Sequence, residues 1–264
     1  VHVANKYGMS FGPDRVEKVM IDMALVNNKI NFLADRIKQC RWDGESRIEF
    51  IFQNLFGVKG SEYSLMAKAW FRSTVQRAFE PGCPLRNMLI LKGNQGCGKS
   101  AFTNIIAFDN PDWHSDFSGN LDNTEAQRLA CSKWVIELSE LSSFRSTKDH
   151  NSLKSFISRM SDDYRMLYKN KVMAHPRTCA FIGTTNDDNF LTDRTGNSRY
   201  WIIPISEEYN QNNTVDLEWL IESRDQIWGE AYHMYNTVSD AEMRKELQSI
   251  KFTDKVEETH GMFS

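Results

Sequence analysis

The sequence has none of the features of a membrane-spanning or exported protein. Among its 264 residues, no apolar run approaches the roughly 18 residues that a transmembrane helix needs. Residues 1–10 are mixed and polar and contain no signal peptide. The five cysteines are scattered without a C-x-x-C pair, so we expect free thiols in a reducing cytoplasm, with neither a disulfide framework nor a zinc site.

The sequence also lacks an excess of positive charge. Its net charge of −3 at pH 7 argues against a generally basic coat for nucleic acid, although a local basic channel needs charge only in its groove. The hydrophobic fraction of 41% and the charged fraction of 25% are typical of globular proteins. The chain begins at Val1 without an initiator methionine, so we expect it to be a fragment of something longer.

What is present divides into a helical part and an alternating part. Residues 15–39 and 61–79 carry apolar stripes that predict two helices, and the cluster Pro81-Gly82-Cys83-Pro84 then interrupts the chain. From residue 85 strands alternate with helices, which is typical of a parallel sheet that binds ligands at the carboxyl ends of its strands. We therefore predict an α/β fold with a smaller helical N-terminal region at 1–84, a core at 85–210 and C-terminal helices packed on the core at 211–264.

The elements expected in the core follow from its apolar runs and their spacing. Strands are predicted at 87–91, 134–136, 178–183 and 200–205, and helices at 101–108, 123–130, 151–160, 217–235 and 241–247. Residues 164–176 alternate and turn at Lys169-Asn170, which predicts a β-hairpin.

A phosphate-binding loop follows the first of these strands. The octapeptide Gly93-Asn94-Gln95-Gly96-Cys97-Gly98-Lys99-Ser100 matches G-x-x-x-x-G-K-[ST] and lies between a predicted strand and a predicted helix that begins at Ala101. The glycines let backbone N–H groups point at a triphosphate, and the helix N-terminus adds partial positive charge. We expect residues 93–101 to bind ATP, with Lys99 reaching the β and γ phosphates and the Ser100 hydroxyl ligating Mg²⁺.

Hydrolysis needs further groups, and candidates follow the next two strands. Glu137 is the first acid after the strand at 134–136, and Glu140 follows three residues later. We expect at least one of them to act on Mg²⁺ or on the attacking water, and their division of labour stays open. Asn186 ends the strand at 178–183 and could sense the γ-phosphate, although asparagine is also an ordinary turn residue.

Two arginines precede the last predicted strand. Multimeric NTPases insert an arginine from one subunit into the site of its neighbour, and Arg199 is our first candidate, ahead of Arg194. The alternative is a surface arginine paired with Asp188 or Asp193.

A local basic segment spans residues 159–177. It places Lys169 and Lys171 at the predicted hairpin tip, near Arg165, and interleaves tyrosines with basic residues: Arg159, Tyr164, Tyr168, His175 and Arg177. Such a hairpin could contact the phosphates of single-stranded DNA and stack on its bases. The alternative is a solvated tip without a partner.

The order of these features resembles the virulence-associated protein E family, AAA+-type ATPases of phages and chromosomal islands that are akin to superfamily 3 helicases. The resemblance runs from about Trp42 to Ile205 and rests on 79–83, 93–100, 134–141, 176–178 and 182–201. It implies an AAA+-like parallel sheet and a hexameric ring that replicates mobile-element DNA, with Arg199 matching the family's arginine before the last strand. The acidic motif departs from adjacent paired acids, because Leu138 follows Glu137, and no primase or origin-binding region is visible.

These features lead to one expectation and two rivals. We expect a cytoplasmic, Mg²⁺-dependent ATPase that moves along single-stranded DNA or a replication fork, alone or with other replication proteins. The first rival is an ATP-controlled switch that binds DNA or a replication protein without processive unwinding. The second is a small-molecule kinase, which the order of acidic strand, hairpin and asparagine fits poorly.

Overall fold

The structure of the chain is a computed structural model that describes residues 31–139, 141, 146–165, 172–187, 199–206, 208–209 and 215–249. Helices and strands are labelled in chain order over these residues. The elements are α1 Phe32–Gln39, α2 Ile51–Phe56, α3 Ser61–Phe79, β1 Met88–Lys92, α4 Lys99–Ile106, β2 His114–Phe117, α5 Thr124–Ser132, β3 Val135–Leu138, α6 Thr147–Ser158, β4 Ser161–Arg165, β5 Val172–Pro176, β6 Ala180–Thr185, β7 Tyr200–Pro204, α7 Leu217–Thr237 and α8 Asp240–Ser249.

The central sheet is parallel throughout and has the strand order β2-β3-β6-β1-β7. Because the strands are parallel, their carboxyl ends share one edge, where the segments following β1, β3 and β6 meet. The chain leaves β1 to reach β2 and β3 on one side, and after β6 it crosses to β7 on the other side. A crevice at such a reversal of strand order is the usual ligand site of an open α/β sheet.

Alternate residues of each central strand face two different layers of helices. In β1, Leu89 and Leu91 pack in a core that contains residues of α3, α4 and α7, while Met88 and Ile90 pack in a second core with α5 and α6. All four side chains are fully buried. A strand buried on both faces reads as a continuous apolar run, which explains why the sequence pattern revealed it. The predicted α/β fold with a helix-flanked parallel sheet is confirmed.

The helices before residue 84 pack directly on the sheet. Trp70 of α3 is fully buried, and its indole nitrogen donates to the carbonyl of Phe181 in β6 at 3.2 Å. Trp134, just before β3, donates in turn to the carbonyl of Thr74 in α3 at 3.0 Å. One hydrophobic core therefore contains residues from both sides of the predicted boundary at 84, and the three-part division stays a prediction.

Some elements differ from those that the sequence predicted. The edge strand β2, with the sequence His-Ser-Asp-Phe, and the short helix α2 were not predicted. Strand β6 runs to Thr185 instead of ending at 183, because Thr184 and Thr185 continue the ladder with Leu91 and Lys92. Only Phe32–Gln39 of the helix predicted at 15–39 lies in the described residues. No helix in the described ranges combines the length and apolarity of a membrane span.

Candidate functional site

The loop between β1 and α4 has the backbone shape that its glycines allow. Gly96 and Gly98 both have φ of +83°, a left-handed conformation that costs a residue with a Cβ much more than glycine. The N–H of Gly93 donates to the carbonyl of Thr185 at 3.0 Å, which fastens the start of the loop to the end of β6. Helix α4 begins at Lys99, directly after the second of these glycines. The loop therefore lies at the carboxyl edge of the sheet with a helix N-terminus behind it.

The side chain of Lys99 lies over this loop. Its Nζ donates to the backbone carbonyls of Gly93 at 2.7 Å and Asn94 at 2.5 Å, and it lies 3.5 Å from Sγ of Cys97. Of the other predicted binding residues, 94–96 are exposed, Cys97 is buried, and Ala101 is half-buried in the first turn of α4. An ammonium held across the mouth of a loop brings positive charge to the place where anions would bind.

Glu137 is the buried acid of the site. Only 1% of its surface is exposed, and its carboxylate accepts hydrogen bonds from three hydroxyls. Ser100 and Thr184 donate to Oε1 at 2.7 Å and 2.9 Å, and Thr103 donates to Oε2 at 2.7 Å. A buried carboxylate needs such donors because burial removes its water. The structure thus brings together Ser100 and Glu137, the two residues predicted to ligate Mg²⁺.

Asn186 follows β6 directly and is exposed. Its predecessor Thr185 accepts the hydrogen bond from Gly93, so Asn186 lies immediately beside the start of the loop. The predicted position at the edge of the site is therefore observed, while its role as a nucleotide sensor stays a prediction. Glu140, Lys169, Lys171 and Arg194 lie outside the described residues, so the division of labour between Glu137 and Glu140 stays open.

Arg199 lies at the opposite end of the sheet from the loop. It precedes Tyr200, which pairs with Met88 at the first residue of β1, whereas the loop follows Lys92 at the last residue of β1. Parallel strands of five residues separate the two ends by roughly 15 Å, at about 3.3 Å per residue. Within one chain Arg199 is therefore remote from the loop and from Glu137. The prediction of a role in a neighbouring subunit is compatible with this placement.

The predicted hairpin is formed by β4 and β5, which pair antiparallel from Ser161 with Pro176 to Arg165 with Val172. Arg165 is exposed at the last residue of β4, where the described pairing with β5 ends. Tyr164 stacks on His175 with ring centroids 4.0 Å apart and an interplanar angle of 16°. One face of this tyrosine is thus covered by the imidazole.

Arg177 was counted in the local basic segment by the sequence analysis, but the structure buries this side chain away from any surface that DNA could contact. It is fully buried, and its Nε and Nη2 donate to Oδ2 and Oδ1 of Asp162 at 2.5 Å and 3.0 Å. The guanidinium also donates to the carbonyl of Phe156. Arg159 pairs with the same Asp162 at 3.3 Å. These two arginines hold the base of the hairpin against α6.

Three residues near Glu137 were missed by the sequence analysis. Thr103 lies one helical turn after Ser100, so its spacing could have revealed it, whereas Thr184 enters only through the register of β6. Asp116 is exposed on β2 and is the register partner of Glu137, and paired residues of parallel strands point to the same face. Burial lowers the pKa of the neighbouring His114, and the charge of Glu137 opposes that shift.

Comparisons with known proteins agree with this architecture. A family profile described as the virulence-associated protein E-like domain matches residues 37–260. Two solved apo structures of the NrS-1 C-terminal region, both spanning 305–718 and the second an A form, share 18% sequence identity with the chain and superpose with TM-scores of 0.55 and 0.54. The match covers 80% of this chain but about half of those structures, 53% and 52%. No curated protein sequence matches the chain.

Proposed function

The chain belongs to the virulence-associated protein E-like domain family, and we propose that it is a Mg²⁺-dependent ATPase that acts as a helicase or translocase in the replication of a mobile genetic element. The main observation behind the proposal is the hydrogen bond from the hydroxyl of Ser100, at the end of the loop, to the carboxylate of Glu137. A loop that matches the P-loop pattern, a lysine across its mouth and a buried acid beside it supply the three protein groups that nucleotide phosphates and their metal require.

The residues present fit ATP and Mg²⁺ chemically. Left-handed glycines open the loop so that its N–H groups can face phosphate oxygens, and Lys99 balances their charge. The hydroxyl of Ser100 and the carboxylate of Glu137 are hard oxygen donors, which Mg²⁺ prefers. Bound Mg²⁺ would neutralise charge that develops on the phosphates during hydrolysis. Glu137 would hold its position through Thr103 and Thr184, whose hydroxyls contact both carboxylate oxygens.

We propose further that the active unit is a ring. Arg199 is remote from the loop of its own chain, so an arginine at this position would complete a site only across a subunit boundary. An arginine supplied in this way offsets transition-state charge and is worth about 10³–10⁵ in rate. The family resemblance supports a hexamer.

A second candidate function is an ATP-controlled switch that binds single-stranded DNA or a replication protein without processive unwinding. It is favoured by the burial of Arg177 and the pairing of Arg159, because these ion pairs leave the described part of the hairpin less basic than the sequence predicted. Arg165, Lys169 and Lys171 would then make the phosphate contacts of a clamp.

The experiment that tests the proposal is ATP hydrolysis with and without single-stranded DNA. Lys99→Ala serves as the blank, and Lys38→Ala, which removes an exposed lysine of α1, is the matched control. Hydrolysis that needs Lys99 and becomes faster with DNA supports the proposed helicase or translocase. Hydrolysis that needs Lys99 but ignores DNA favours the switch, and equal rates in the wild type and Lys99→Ala contradict the ATPase itself.

A further inference from the structure

A cavity of about 560 Å³ lies beside the loop, between the end of α2, the segment after β7 and the start of α7. Its volume falls within the roughly 300–1,000 Å³ of small-molecule sites. Its lining includes two aromatic rings, two amides and a hydroxyl, contributed by Tyr209, Trp219, Gln53, Asn54 and Ser206.

Residues next to the cavity contact the loop on the side away from Glu137. The N–H of Ile205 donates at 2.8 Å to the carbonyl of Lys92, the residue before the loop, and Ser206 comes next in the chain. Val215 packs 3.4 Å from the position that a Cβ on Gly98 would occupy, and Asp216 of the cavity follows it. Since β1 lies between β6 and β7, the cavity and the Glu137 carboxylate flank opposite sides of the loop.

One polar atom of the cavity has no partner among the described residues. Oγ of Ser206 is buried and makes no hydrogen bond. Gly57 keeps the space beside it open, because a Cβ there would lie 2.5 Å from this oxygen and 2.8 Å from the ring of Tyr209. A buried hydroxyl without a partner is costly, so the arrangement favours a ligand with a polar edge.

The charges of the cavity disfavour phosphate. Among the described residues, its lining carries the carboxylates of Glu208 and Asp216 and the ammonium of Lys59. A phosphate group would meet net repulsion here, whereas an uncharged ring with hydroxyl and amino groups would not. Tyr209 and Trp219 add surfaces on which a ring can stack.

We propose that this cavity binds the base and ribose of the nucleotide whose phosphates the loop binds. The inference rests on the proposed ATP-binding function. The phosphates extend from the loop toward Ser100 and Glu137, and the nucleoside end lies on the β7 side. Helices α2 and α7 thereby contribute to nucleotide binding, although both lie outside the strand–loop–helix unit.

The test compares the binding of ATP with that of inorganic tripolyphosphate, which lacks the base and ribose. Each ligand is titrated into the full chain in the presence of Mg²⁺, and its affinity is measured by calorimetry. Ser206→Ala should weaken ATP binding about three- to tenfold through the loss of one hydrogen bond. Tyr209→Ala should weaken it about tenfold or more through the loss of stacking. Neither change should alter tripolyphosphate binding.

Two controls separate this inference from the function on which it rests. Lys99→Ala should weaken both ligands, and Phe32→Ala, which removes an exposed aromatic ring outside the cavity, should weaken neither. Unchanged ATP affinity in Ser206→Ala and folded Tyr209→Ala overturns the cavity assignment and leaves the ATPase proposal intact. If the wild-type protein binds tripolyphosphate as tightly as ATP, the cavity assignment is likewise overturned and the ATPase proposal stands. If the wild-type protein binds neither ligand, both proposals are overturned.

Discussion

The hydroxyl of Ser100 donates a 2.7 Å hydrogen bond to the carboxylate of Glu137, which links the first turn of α4 to strand β3. Thr184 and Thr103 donate to the same carboxylate from β6 and from the next turn of α4. The acid is therefore fixed from two sides before any ligand binds. Glu137 therefore has two separable functions. It accepts structural hydrogen bonds, and we propose that its negative charge binds the metal.

Glu137→Gln should remove the second function and keep the first. The amide oxygen still accepts a hydrogen bond, and the hydroxyls can rotate to accept from the amide nitrogen. We expect thermal unfolding close to that of the wild type but a fall in ATP hydrolysis of at least about 100-fold, because a metal ligand loses its charge. Steady-state hydrolysis at increasing Mg²⁺ concentration measures the effect, and a wild-type turnover rate would contradict the assignment.

Glu137→Ala is the companion variant. It leaves the buried hydroxyls of Thr103 and Thr184 without their acceptor, so we expect a loss of about 1–3 kcal/mol in the free energy of unfolding. Urea unfolding of the two variants should therefore differ although both are inactive. Equal stability would mean that the hydroxyls find other partners.

Arg199→Ala should abolish turnover while ATP still binds, because the arginine acts in the site of a neighbour. Mixing Arg199→Ala with Lys99→Ala gives a sharper test. In a mixed ring, an intact loop from the first variant can face an intact Arg199 from the second, so hydrolysis should reappear in the mixture. The rate is measured against the mixing ratio, with each inactive variant mixed with itself as the control. A mixture that stays inactive, or Arg199→Ala that turns over normally, would contradict a role in trans.

The strand, the loop and the following helix could be predicted because their signals are local. The apolar run of β1 is buried on both faces, and the glycines of the loop are required by their own backbone angles. Helix α3 was predicted to its first and last residue, since the interruption at Pro81-Gly82 marks its end. The family resemblance follows from the same local motifs and is confirmed by the match over residues 37–260.

What could not be predicted depends on tertiary contacts. The sequence of β2 is mostly polar, because an edge strand is partly exposed, so neither this strand nor Asp116 stood out. Thr184 binds Glu137 only once β6 lies beside β3. Arg177 was counted in the local basic segment because composition does not report burial, and its partner Asp162 lies fifteen positions away in sequence.

The buried pair of Arg177 and Asp162 should be essential for stability. Both side chains are at most 1% exposed, so Asp162→Asn leaves a buried guanidinium without its carboxylate and should cost about 3–5 kcal/mol in unfolding free energy. Asp163→Asn, at the exposed neighbouring position, is the matched control and should change stability little. Urea unfolding measures both. If Asp162→Asn were as stable as Asp163→Asn, the charge of Arg177 would have another source of compensation.

The hairpin should determine how strongly DNA binding depends on salt. Replacing Arg165, Lys169 and Lys171 by alanine removes three cations that we propose contact single-stranded phosphates. The slope of log K against log salt is negative, and each lost contact should make it shallower by about 0.7, because fewer counterions are released. Fluorescence anisotropy of a labelled oligonucleotide at several salt concentrations measures this slope. Replacing Arg244 and Lys245, exposed on α8, should leave the slope unchanged. An unchanged slope in the hairpin variant would mean that DNA binds elsewhere. A change in both variants in proportion to the three and two cations removed would show that the slope reports only the net charge of the chain.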